Sequence, residues 1–367
     1  AWLIGESTPK LSDKIVSYGE LLSAFVIAEY YRSRGIQAEF QDSRELIETD
    51  NTFGNARVNQ EKTYAKVSAA LQGNTPVVVL PGFIASNAQG DTTTLGRGGS
   101  DYSAALFAGA LQATELEIWT DVSGMYTANP KLVSGARPIP TLSYEEAMEL
   151  SHFGAKVLYP PTIRPALQAN IPILIRNTFK PEEPGTRIEV DGNPLGRTVR
   201  GISYVPGIAL LSLEGPGMIG IPGISHRFFE VLWQKEINVV FITQASSEHS
   251  ICVGILESQA TLASEAVNQA FEREIEKGGI TPVQVEAELS IVALVGDRMK
   301  QHQGLSGRMF STLGRNNVNI RAIAQGASER NISVVIGSSD VKKALNTLHE
   351  AFFEEQVKQL NLFVMGV

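Results

Sequence analysis

The stretch from Thr93 to Leu111 reads TTLGRGGSDYSAALFAGAL and places three glycines around one arginine, directly before an alanine-rich run. Glycine weakens regular structure and is kept where the backbone needs a positive φ or where another group comes close. The run predicts a helix that Ser100 or Asp101 caps. Its apolar face would consist of Ala104, Ala105, Phe107, Ala108 and Leu111. A glycine turn leading into a helix directs free N–H groups at one point, so the stretch predicts an anion site, with an ordinary strand-to-helix turn as the alternative.

Helices and strands alternate around this stretch, from Lys14 to Lys180. The helical patterns are GELLSAFVIAEYYRSRG and TYAKVSAALQ, and the strand patterns are GIQAEFQDS, TPVVVLPGFIA and ELEIWTDV. This alternation predicts an α/β unit with a mostly parallel sheet and helices on both faces. Ligands of such sheets bind beyond the carboxyl ends of the strands, where Gly82-Phe83, the glycine loop and Thr120-Asp121 all fall. The convergence favours the anion site over the ordinary turn.

The second half of the chain repeats itself at an offset of 81 residues. LEGPGMIGIPGISHRFFEVL at 213–232 aligns with LVGDRMKQHQGLSGRMFSTL at 294–313, and NVVFITQASSEHSICV at 238–253 aligns with NIRAIAQGASERNISV at 319–334. Each copy predicts a ferredoxin-like βαββαβ unit. Two such units are expected to pack side by side and to form small-molecule pockets where they meet.

Bulk composition limits the class of protein. The 367 residues suffice for two or three domains, and the contents of 43% hydrophobic and 19% charged residues are typical of a globular protein. The net charge of −8 and the pI near 5.3 argue against a nucleic-acid-binding surface. No apolar run reaches the length of a membrane span. The single cysteine, Cys252, predicts a buried small hydrophobe in a reducing, cytoplasmic compartment.

The chemistry-bearing residues indicate a transfer between anions. Arg97 stands between glycines and presents a bidentate donor, whereas a lysine such as Lys156, taken alone, is more often a solvated surface residue. Glu20 is placed in the first turn of its predicted helix, where the helix dipole by itself would favour it. The sequence has no GxxxxGK[ST] loop and no histidine or cysteine spacing for a metal, and the glycine loop GRGGSD lacks the final glycine of a GxGxxG fingerprint. No metal site and no tightly bound cofactor are therefore expected.

Three motifs resemble those of aspartate kinases in the amino-acid-kinase superfamily: LGRGGSDYSAAL, WTDVSGMYTANPKLV and ELSHFGAKVLYPPTIRPAL. The two repeats resemble the paired ACT domains of that family, and their motifs are most similar to those of bifunctional aspartokinase–homoserine dehydrogenases. The resemblance implies an amino-acid-kinase domain over 1–185, incomplete at its N-terminus, a linker over 186–206, and ACT domains over 207–288 and 289–367. LNLFVMGV at the end resembles the first strand of a following dehydrogenase domain.

The implied reaction is phosphorylation of the aspartate side-chain carboxylate by ATP with Mg²⁺, the first step of lysine, threonine and methionine biosynthesis. By resemblance, the residues divide into four roles. Those implied to be catalytic are Arg97, Asp101 and Lys156. Those implied to hold aspartate are Glu20, Phe83, Thr94, Arg97 and Ser100, with Glu20 pairing to the α-ammonium. Those implied to hold the nucleotide are Thr120, Asp121, Tyr126, Lys131 and Lys156. Those expected to bind an amino-acid effector are Met218, Gly223, Gln244 and Gln325.

Two other interpretations remain open at this point. A glutamate or uridylate kinase would share the sheet but is not expected to carry the tandem repeat. A catalytically inactive, amino-acid-binding regulatory fragment is the stronger alternative, because the family's Lys-Phe-Gly-Gly-Thr-Ser loop does not occur in this sequence. We therefore expect little kinase activity from the 367 residues alone. The resemblance favours threonine over lysine as the effector, and a homodimer or higher oligomer formed through the ACT domains.

Overall fold

The computed structural model describes residues 8–71, 76–152, 158–159, 163–192, 196, 198–244, 249–297, 299, 302–325 and 330–354. The chain divides into two compact units. The N-terminal unit comprises Ala1–Met125 with Pro138–Leu195, and the C-terminal unit comprises Tyr126–Arg137 with Gly196–Val367. The segment 126–137, which falls inside the expected kinase domain, therefore packs with the second unit.

The N-terminal unit alternates helices and short strands. Its helices are α1 (Pro9–Ser33), α2 (Ser43–Leu46), α3 (Gln60–Ala70), α4 (Gly99–Leu111), α5 (Tyr144–His152) and α6 (Arg164–Gln168). Its strands are β1 (Ala38–Phe40), β2 (Glu48–Thr49), β3 (Val77–Val79), β4 (Ile84–Asn87), β5 (Thr92–Thr94), β6 (Leu116–Thr120), β7 (Thr141–Leu142), β8 (Ile173–Asn177) and β9 (Thr186–Ile188).

Parallel pairing dominates this unit, as the alternation predicts. The pairs β1–β3, β2–β4, β6–β8 and β7–β9 are parallel, whereas β4–β5 and β8–β9 are antiparallel. The strands form three hydrogen-bonded groups in the orders β1-β3, β2-β4-β5 and β6-β8-β9-β7. The predicted α/β class is confirmed. The predicted strand TPVVVLPGFIA is instead two strands, β3 and β4, separated at Pro81-Gly82.

The first helix begins earlier than its apolar pattern indicates. Thr8 caps α1 by accepting a hydrogen bond from the Leu11 N–H at 3.2 Å, and Pro9 occupies the first helical position. Glu20 therefore lies in the middle of α1, and its predicted first-turn position is wrong. The helix dipole favours carboxylates only near the first turn, so it does not account for Glu20.

The C-terminal unit is built on one antiparallel sheet. Its strands are β10 (Gly201–Glu214), β11 (Val239–Gln244), β12 (Ser250–Leu256), β13 (Gln284–Val295), β14 (Ile320–Gln325) and β15 (Asn331–Gly337), in the order β11-β12-β10-β13-β15-β14. Its helices are α7 (Ile224–Gln234), α8 (Ala260–Ala270), α9 (Glu272–Glu276), α10 (Leu305–Arg315) and α11 (Val341–Phe353).

The two predicted repeats share their long strands. The first repeat uses the second half of β10, α7, β11, β12, α8 and the start of β13. The second repeat uses the end of β13, α10, β14, β15 and α11, and its fourth strand in the described chain is Gly201–Val205 of β10, which pairs with Ile291–Val295 of β13. The expected linker 186–206 therefore contains β9 and the beginning of β10. The final residues 355–367, including LNLFVMGV, lie outside the described residues.

In the sequence, Pro206-Gly207 resembles a break between domains. The strand β10 continues through it, and its register with β13 shifts between Val205 and Ile208. Gly207 has a φ of +68°, and a bulge is a position where proline does not remove a ladder hydrogen bond. The dipeptide bends one strand that serves two repeats.

Each repeat has its own apolar core. That of the first repeat includes Phe228, Leu232, Val253, Val267 and Phe271. That of the second includes Met309, Leu313, Val334, Leu345 and Leu348, together with Ala128 and Val133 from the segment 126–137. Cys252 is half-buried rather than fully buried, and burial raises the pKa of its thiol.

Candidate active site and effector pocket

The three glycines of the stretch 93–111 are required for two different structural reasons. Gly96 and Gly98 both have a φ of +71°, in the left-handed region that side chains disfavour. Gly99 has an ordinary φ, but a Cβ there would lie 2.7 Å from Cδ2 of Phe83. The loop therefore needs two glycines for its turns and a third for close approach to Phe83.

The helix after the loop begins one residue before its predicted caps. Gly98 is the N-cap of α4, and no side chain caps the helix. Ser100 and Asp101 lie inside the first turn, so their predicted capping role is wrong. Leu111, expected on the buried face, is 44% exposed at the last position of the helix. The first-turn N–H groups of α4 are left without a side-chain cap, as an anion site requires.

Phe83 and Ser100 are brought together at this turn. Phe83 has a φ of +68°, which is an outlier for an aromatic residue, and its N–H donates to Ser103 Oγ at 3.0 Å. Its carbonyl accepts from the Leu95 N–H at 2.9 Å. A Cβ on Gly82 would lie 3.0–3.3 Å from Ser100, so Gly82 lets this serine approach the Phe83 turn.

Asp13 is a site-supporting residue that the sequence reasoning missed. Its carboxylate, almost fully buried, accepts from the Thr94 hydroxyl at 2.9 Å, the Thr94 N–H at 3.0 Å and the Gly54 N–H at 2.9 Å. Thr94, predicted to line the aspartate pocket, therefore donates its hydroxyl to Asp13. These bonds fix α1 against β5, and Glu20 follows Asp13 by about two helical turns, roughly 10 Å along the axis.

Arg97 extends from the loop into a large cavity. Its side chain is exposed, and its guanidinium carbon lies 5.4 Å from the ring centroid of Tyr159. The cavity has a volume of about 800 Å³, and Arg57, Arg164 and Tyr102 also line it. Neither Arg57 nor Arg164 gives a sequence signal, because a solitary exposed arginine is ordinary in any soluble protein.

Asp101 differs from the exposed carboxylates of this unit. It lies in the first turn of α4, half-buried, and burial raises the pKa of its carboxyl above the ordinary value. An ionised carboxylate at a helix N-terminus is favoured by the dipole, whereas desolvation opposes ionisation. A carboxyl whose ionisation is favoured by a helix dipole and opposed by burial is typical of functional sites.

The predicted nucleotide residues are distributed over both units. Thr120 ends β6 and Asp121 follows it in the N-terminal unit, where the Thr120 hydroxyl donates to Asp121 at 3.2 Å. Tyr126 and Lys131 lie on the segment that packs with the C-terminal unit. Asn129 accepts from the Lys131 N–H at 2.9 Å. Lys156 lies outside the described residues.

A cavity of about 390 Å³ is present in the first repeat at the start of α7. It is lined by three of the predicted effector residues, Met218, Gly223 and Gln244, and by the Ser225 side chain. Gly223, with a φ of +93°, is the N-cap of α7, and no side chain caps that helix. The arrangement presents free N–H groups on one side and an amide on the other.

The second repeat has the same scaffold with a different contact. Gly304 is the N-cap of α10 with a φ of +85°. The Ser306 hydroxyl donates to the side-chain oxygen of Gln325 at 3.3 Å. The fourth predicted effector residue is therefore already hydrogen-bonded to the first turn of its neighbouring helix.

The described residues lack two kinds of feature. Those residues contain no group of three or more histidine, cysteine, aspartate or glutamate side chains placed to hold a metal ion. Within the same residues, no helix combines the length and apolarity needed to cross a membrane.

Comparison with known proteins agrees with the fold. A model of the amino acid kinase family matches residues 5–177, and a model of an ACT domain matches residues 211–271 and 292–352. The bifunctional aspartokinase/homoserine dehydrogenase of Haemophilus influenzae is 40% identical over 349 residues, covering 95% of this chain and 43% of that protein. The lysine-sensitive aspartokinase 3 of Escherichia coli is 35% identical over 357 residues, covering 95% of this chain and 77% of that protein.

The crystal structure of E. coli aspartokinase III in complex with aspartate and ADP aligns with a TM-score of 0.79 at 33% identity, over 95% of this chain and 77% of that one. Fold and matches together define an amino acid kinase unit followed by tandem ACT domains. The chain belongs to the aspartokinase family. It spans about two fifths of the length of its bifunctional relatives.

Proposed function

We propose that this chain is the aspartokinase part of a bifunctional enzyme, and that the whole enzyme transfers the γ-phosphoryl group of ATP to the side-chain carboxylate of aspartate. The observation that carries the proposal is the glycine loop, which combines uncapped first-turn N–H groups, the neighbouring Ser100 and an exposed guanidinium on Arg97. Within the family, the structure of E. coli aspartokinase III contains aspartate and ADP. The glycine loop suits a substrate that carries two carboxylates.

The chemistry needs charge compensation more than proton removal. An oxygen of the aspartate carboxylate attacks the γ-phosphorus, the bond from that phosphorus to the bridging oxygen breaks, and ADP leaves with the electron pair. The nucleophile is already ionised at pH 7, so no general base is required. Cations and oriented N–H groups offset the repulsion between two anions. Magnesium enters as part of the ATP complex and is therefore part of the substrate.

The proposed roles follow the positions of the side chains. Arg97 forms a bidentate pair with a carboxylate of aspartate, and Ser100 donates a hydrogen bond beside it. Glu20 pairs with the α-ammonium of aspartate. Asp101 lies beside the reacting groups. Thr120, Asp121, Tyr126 and Lys131 hold the nucleotide, and Lys156 lies along its phosphates.

The Arg97→Lys variant tests the assignment of the loop. Lysine keeps the charge but loses the planar fork, so we expect aspartate affinity to fall at least tenfold, since hydrogen bonds to charged groups contribute about 1.5–3 kcal/mol. Affinity for Mg-ADP should change less than twofold. Calorimetric titration with each ligand measures both, and trapping of the acyl phosphate with hydroxylamine reports turnover.

Arg176→Lys is the matched control, because Arg176 also stacks on an aromatic ring, 4.7 Å from the Trp119 centroid. It should leave both affinities unchanged. A selective loss of Mg-ADP affinity in Arg97→Lys would show that the loop binds the nucleotide and not aspartate.

We further propose that threonine binds in the cavity of the first repeat and inhibits the enzyme. The E. coli enzyme is lysine-sensitive and its structure has been solved with lysine and aspartate, so an amino-acid effector is a feature of the family. The described residues lining the cavity include no carboxylate to pair with the ε-ammonium of lysine. The uncapped start of α7 suits an α-carboxylate, and the Gln244 amide suits a hydroxyl.

The ACT domains are also the proposed dimer interface, which sedimentation of the chain with and without threonine would test.

A further inference from the structure

The segment 126–137 belongs to one domain by sequence and to the other by packing. It lies within residues 5–177, which match the amino acid kinase family, yet it joins the C-terminal unit. Ala128 and Val133 are 3% and 2% exposed within the core of the second repeat. Leu132 and Ala136 pack against the same core. The chain leaves the N-terminal unit at Met125 and returns to it at Pro138.

Thr127 is the best-anchored residue of the segment. Its carbonyl accepts from the Ile202 N–H at 2.7 Å, and its own N–H donates to the Arg137 carbonyl at 2.9 Å. The Arg137 N–H donates to Thr127 Oγ1 at 3.0 Å, and the same hydroxyl shares a hydrogen bond with His349 Nε2 at 2.9 Å. His349 lies on α11, is 1% exposed and stacks on Phe353.

A second side chain of α11 holds the middle of the segment. Asn346 donates from Nδ2 to the Leu132 carbonyl at 2.9 Å, and also to the Lys342 carbonyl at 2.7 Å. Gly135 approaches the end of the helix closely, since a Cβ there would lie 3.2 Å from Glu354 Oε1 and 3.4 Å from the His349 ring. The helix therefore holds the segment by hydrogen bonds at two points, and Gly135 packs closely against its C-terminal end.

The first repeat shows what the same helix does without a segment to hold. The positions equivalent to His349 and Asn346 are Asn268 and Glu265 on α8. Asn268 accepts from the Val283 N–H at 2.9 Å, a bond within its own repeat, and Glu265 is exposed. The contacts to 126–137 are therefore particular to the second repeat and are not part of the repeated scaffold.

We infer that His349 and Asn346 are positioning residues, through which the second ACT domain holds the segment that carries Tyr126 and Lys131. The inference rests on the proposed nucleotide role of those two residues. It gives the repeats different tasks: the first holds the effector cavity, and the second fixes the orientation of nucleotide-binding side chains. A conformational change in the C-terminal unit would thus reach the nucleotide through the segment 126–137, which is covalently continuous with the kinase domain.

The test combines hydrogen exchange with nucleotide binding on the 367-residue chain. In Asn346→Ala we expect exchange of the backbone amides of 126–137 to rise at least tenfold, and the Kd for Mg-ADP to rise at least fivefold. His349→Leu, which keeps the apolar contacts but accepts no hydrogen bond, should do the same. His349→Gln, which restores an acceptor for the Thr127 hydroxyl, should return both values to within twofold of wild type. Aspartate affinity should not change in any of them.

Glu265→Ala is the matched control at the equivalent position of α8 and should change neither reading. Unchanged exchange of 126–137 in both Asn346→Ala and His349→Leu would overturn the inference. So would faster exchange with an unchanged Kd for Mg-ADP, because the segment would then be held without positioning the nucleotide residues. If the wild-type chain bound no Mg-ADP, the proposed nucleotide role of Tyr126 and Lys131 would be wrong, and so would the inferred effect of α11 on nucleotide binding. The exchange data would still show whether α11 holds the segment.

Discussion

The two repeats of the C-terminal unit share a scaffold but differ in how it is used. Both begin a helix at a glycine in the left-handed region, Gly223 and Gly304, and both end a strand in glutamine, Gln244 and Gln325. The first repeat leaves a cavity between these elements, whereas in the second the glutamine is bonded to Ser306. Duplication thus preserved the fold, while the contacts of the described side chains differ between the two repeats.

One cross-strand pair of the antiparallel sheet differs between the repeats in a compensated way. In the first repeat Phe241 pairs with Gly254 across β11 and β12, and in the second Ala322 pairs with Val335 across β14 and β15. A Cβ on Gly254 would lie 2.8 Å from the Phe241 Cβ. The larger residue of the pair lies on β11 in the first repeat and on β15 in the second. The scaffold therefore constrains the combined volume of the pair and not the residue at either position.

The largest expected effect comes from breaking this pair. Gly254→Val places a branched side chain against Phe241, and we expect it to lower the free energy of unfolding by about 3 kcal/mol. The double variant Phe241→Ala/Gly254→Val imports the pair of the second repeat and should recover at least half of the loss. Urea denaturation of both single variants and the double variant measures the coupling. Additive losses would show that the two positions are independent.

A smaller effect is expected from the two glutamines. Gln244→Ala removes an amide from the cavity, and we expect threonine affinity to fall about tenfold, corresponding to about 1.4 kcal/mol for one hydrogen bond. Gln325→Ala should change it less than twofold, because that amide oxygen is already engaged by Ser306. Calorimetry with threonine, lysine and methionine checks both the site and the ligand. Heat from lysine but none from threonine would contradict the assignment.

The smallest expected effect is in the pH dependence of stability. Burial lowers the pKa of His349, with Arg137 acting in the same direction and Glu354 opposing it. Since the unfolded chain binds this proton more readily, the contribution is complete above about pH 6.5 and is lost as pH falls toward the lowered value. His349→Asn introduces the residue of the first repeat, Asn268. The urea midpoint of the variant should fall less between pH 7.5 and 5.5 than that of wild type.

Asn268→His supplies the reciprocal control for this pH dependence. It places a titratable group in the first repeat, where it should steepen the pH dependence if burial is the cause. An equally steep pH dependence in wild type and His349→Asn would assign the acid sensitivity to other groups.

Much of the architecture followed from local patterns. The parallel pairing, the glycine loop and the tandem repeat depend on spacings of apolar residues and glycines, which act over a few residues. Errors occurred where a local signal has two outcomes. Pro206-Gly207 is a domain break or a bulge, and only the pairing with β13 selects the bulge. The start of α1 depends on Thr8 and Pro9, outside the apolar pattern, which placed Glu20 wrongly.

The candidate site likewise contains residues that the sequence indicated and a residue that only the tertiary structure revealed. Sequence indicated Arg97, because glycines around a charge have few structural explanations, and the family resemblance added Ser100 and Asp101. It gave no sign of Asp13, whose carboxylate becomes important only when α1 and β5 meet. The roles assigned to Glu20, Thr94, Phe83 and the nucleotide residues remain predictions, since side-chain geometry alone does not identify a ligand.

The sequence by itself determined the class of fold, the duplication and the glycine loop before α4, because these depend on periodicity and backbone propensity that each segment carries alone. Tertiary structure alone decided that β10 serves both repeats and that 126–137 packs against α11. Both are contacts between residues far apart in the chain, such as Thr127 and His349. Their stability comes from apolar burial and from hydrogen bonds that form only after the second repeat has assembled.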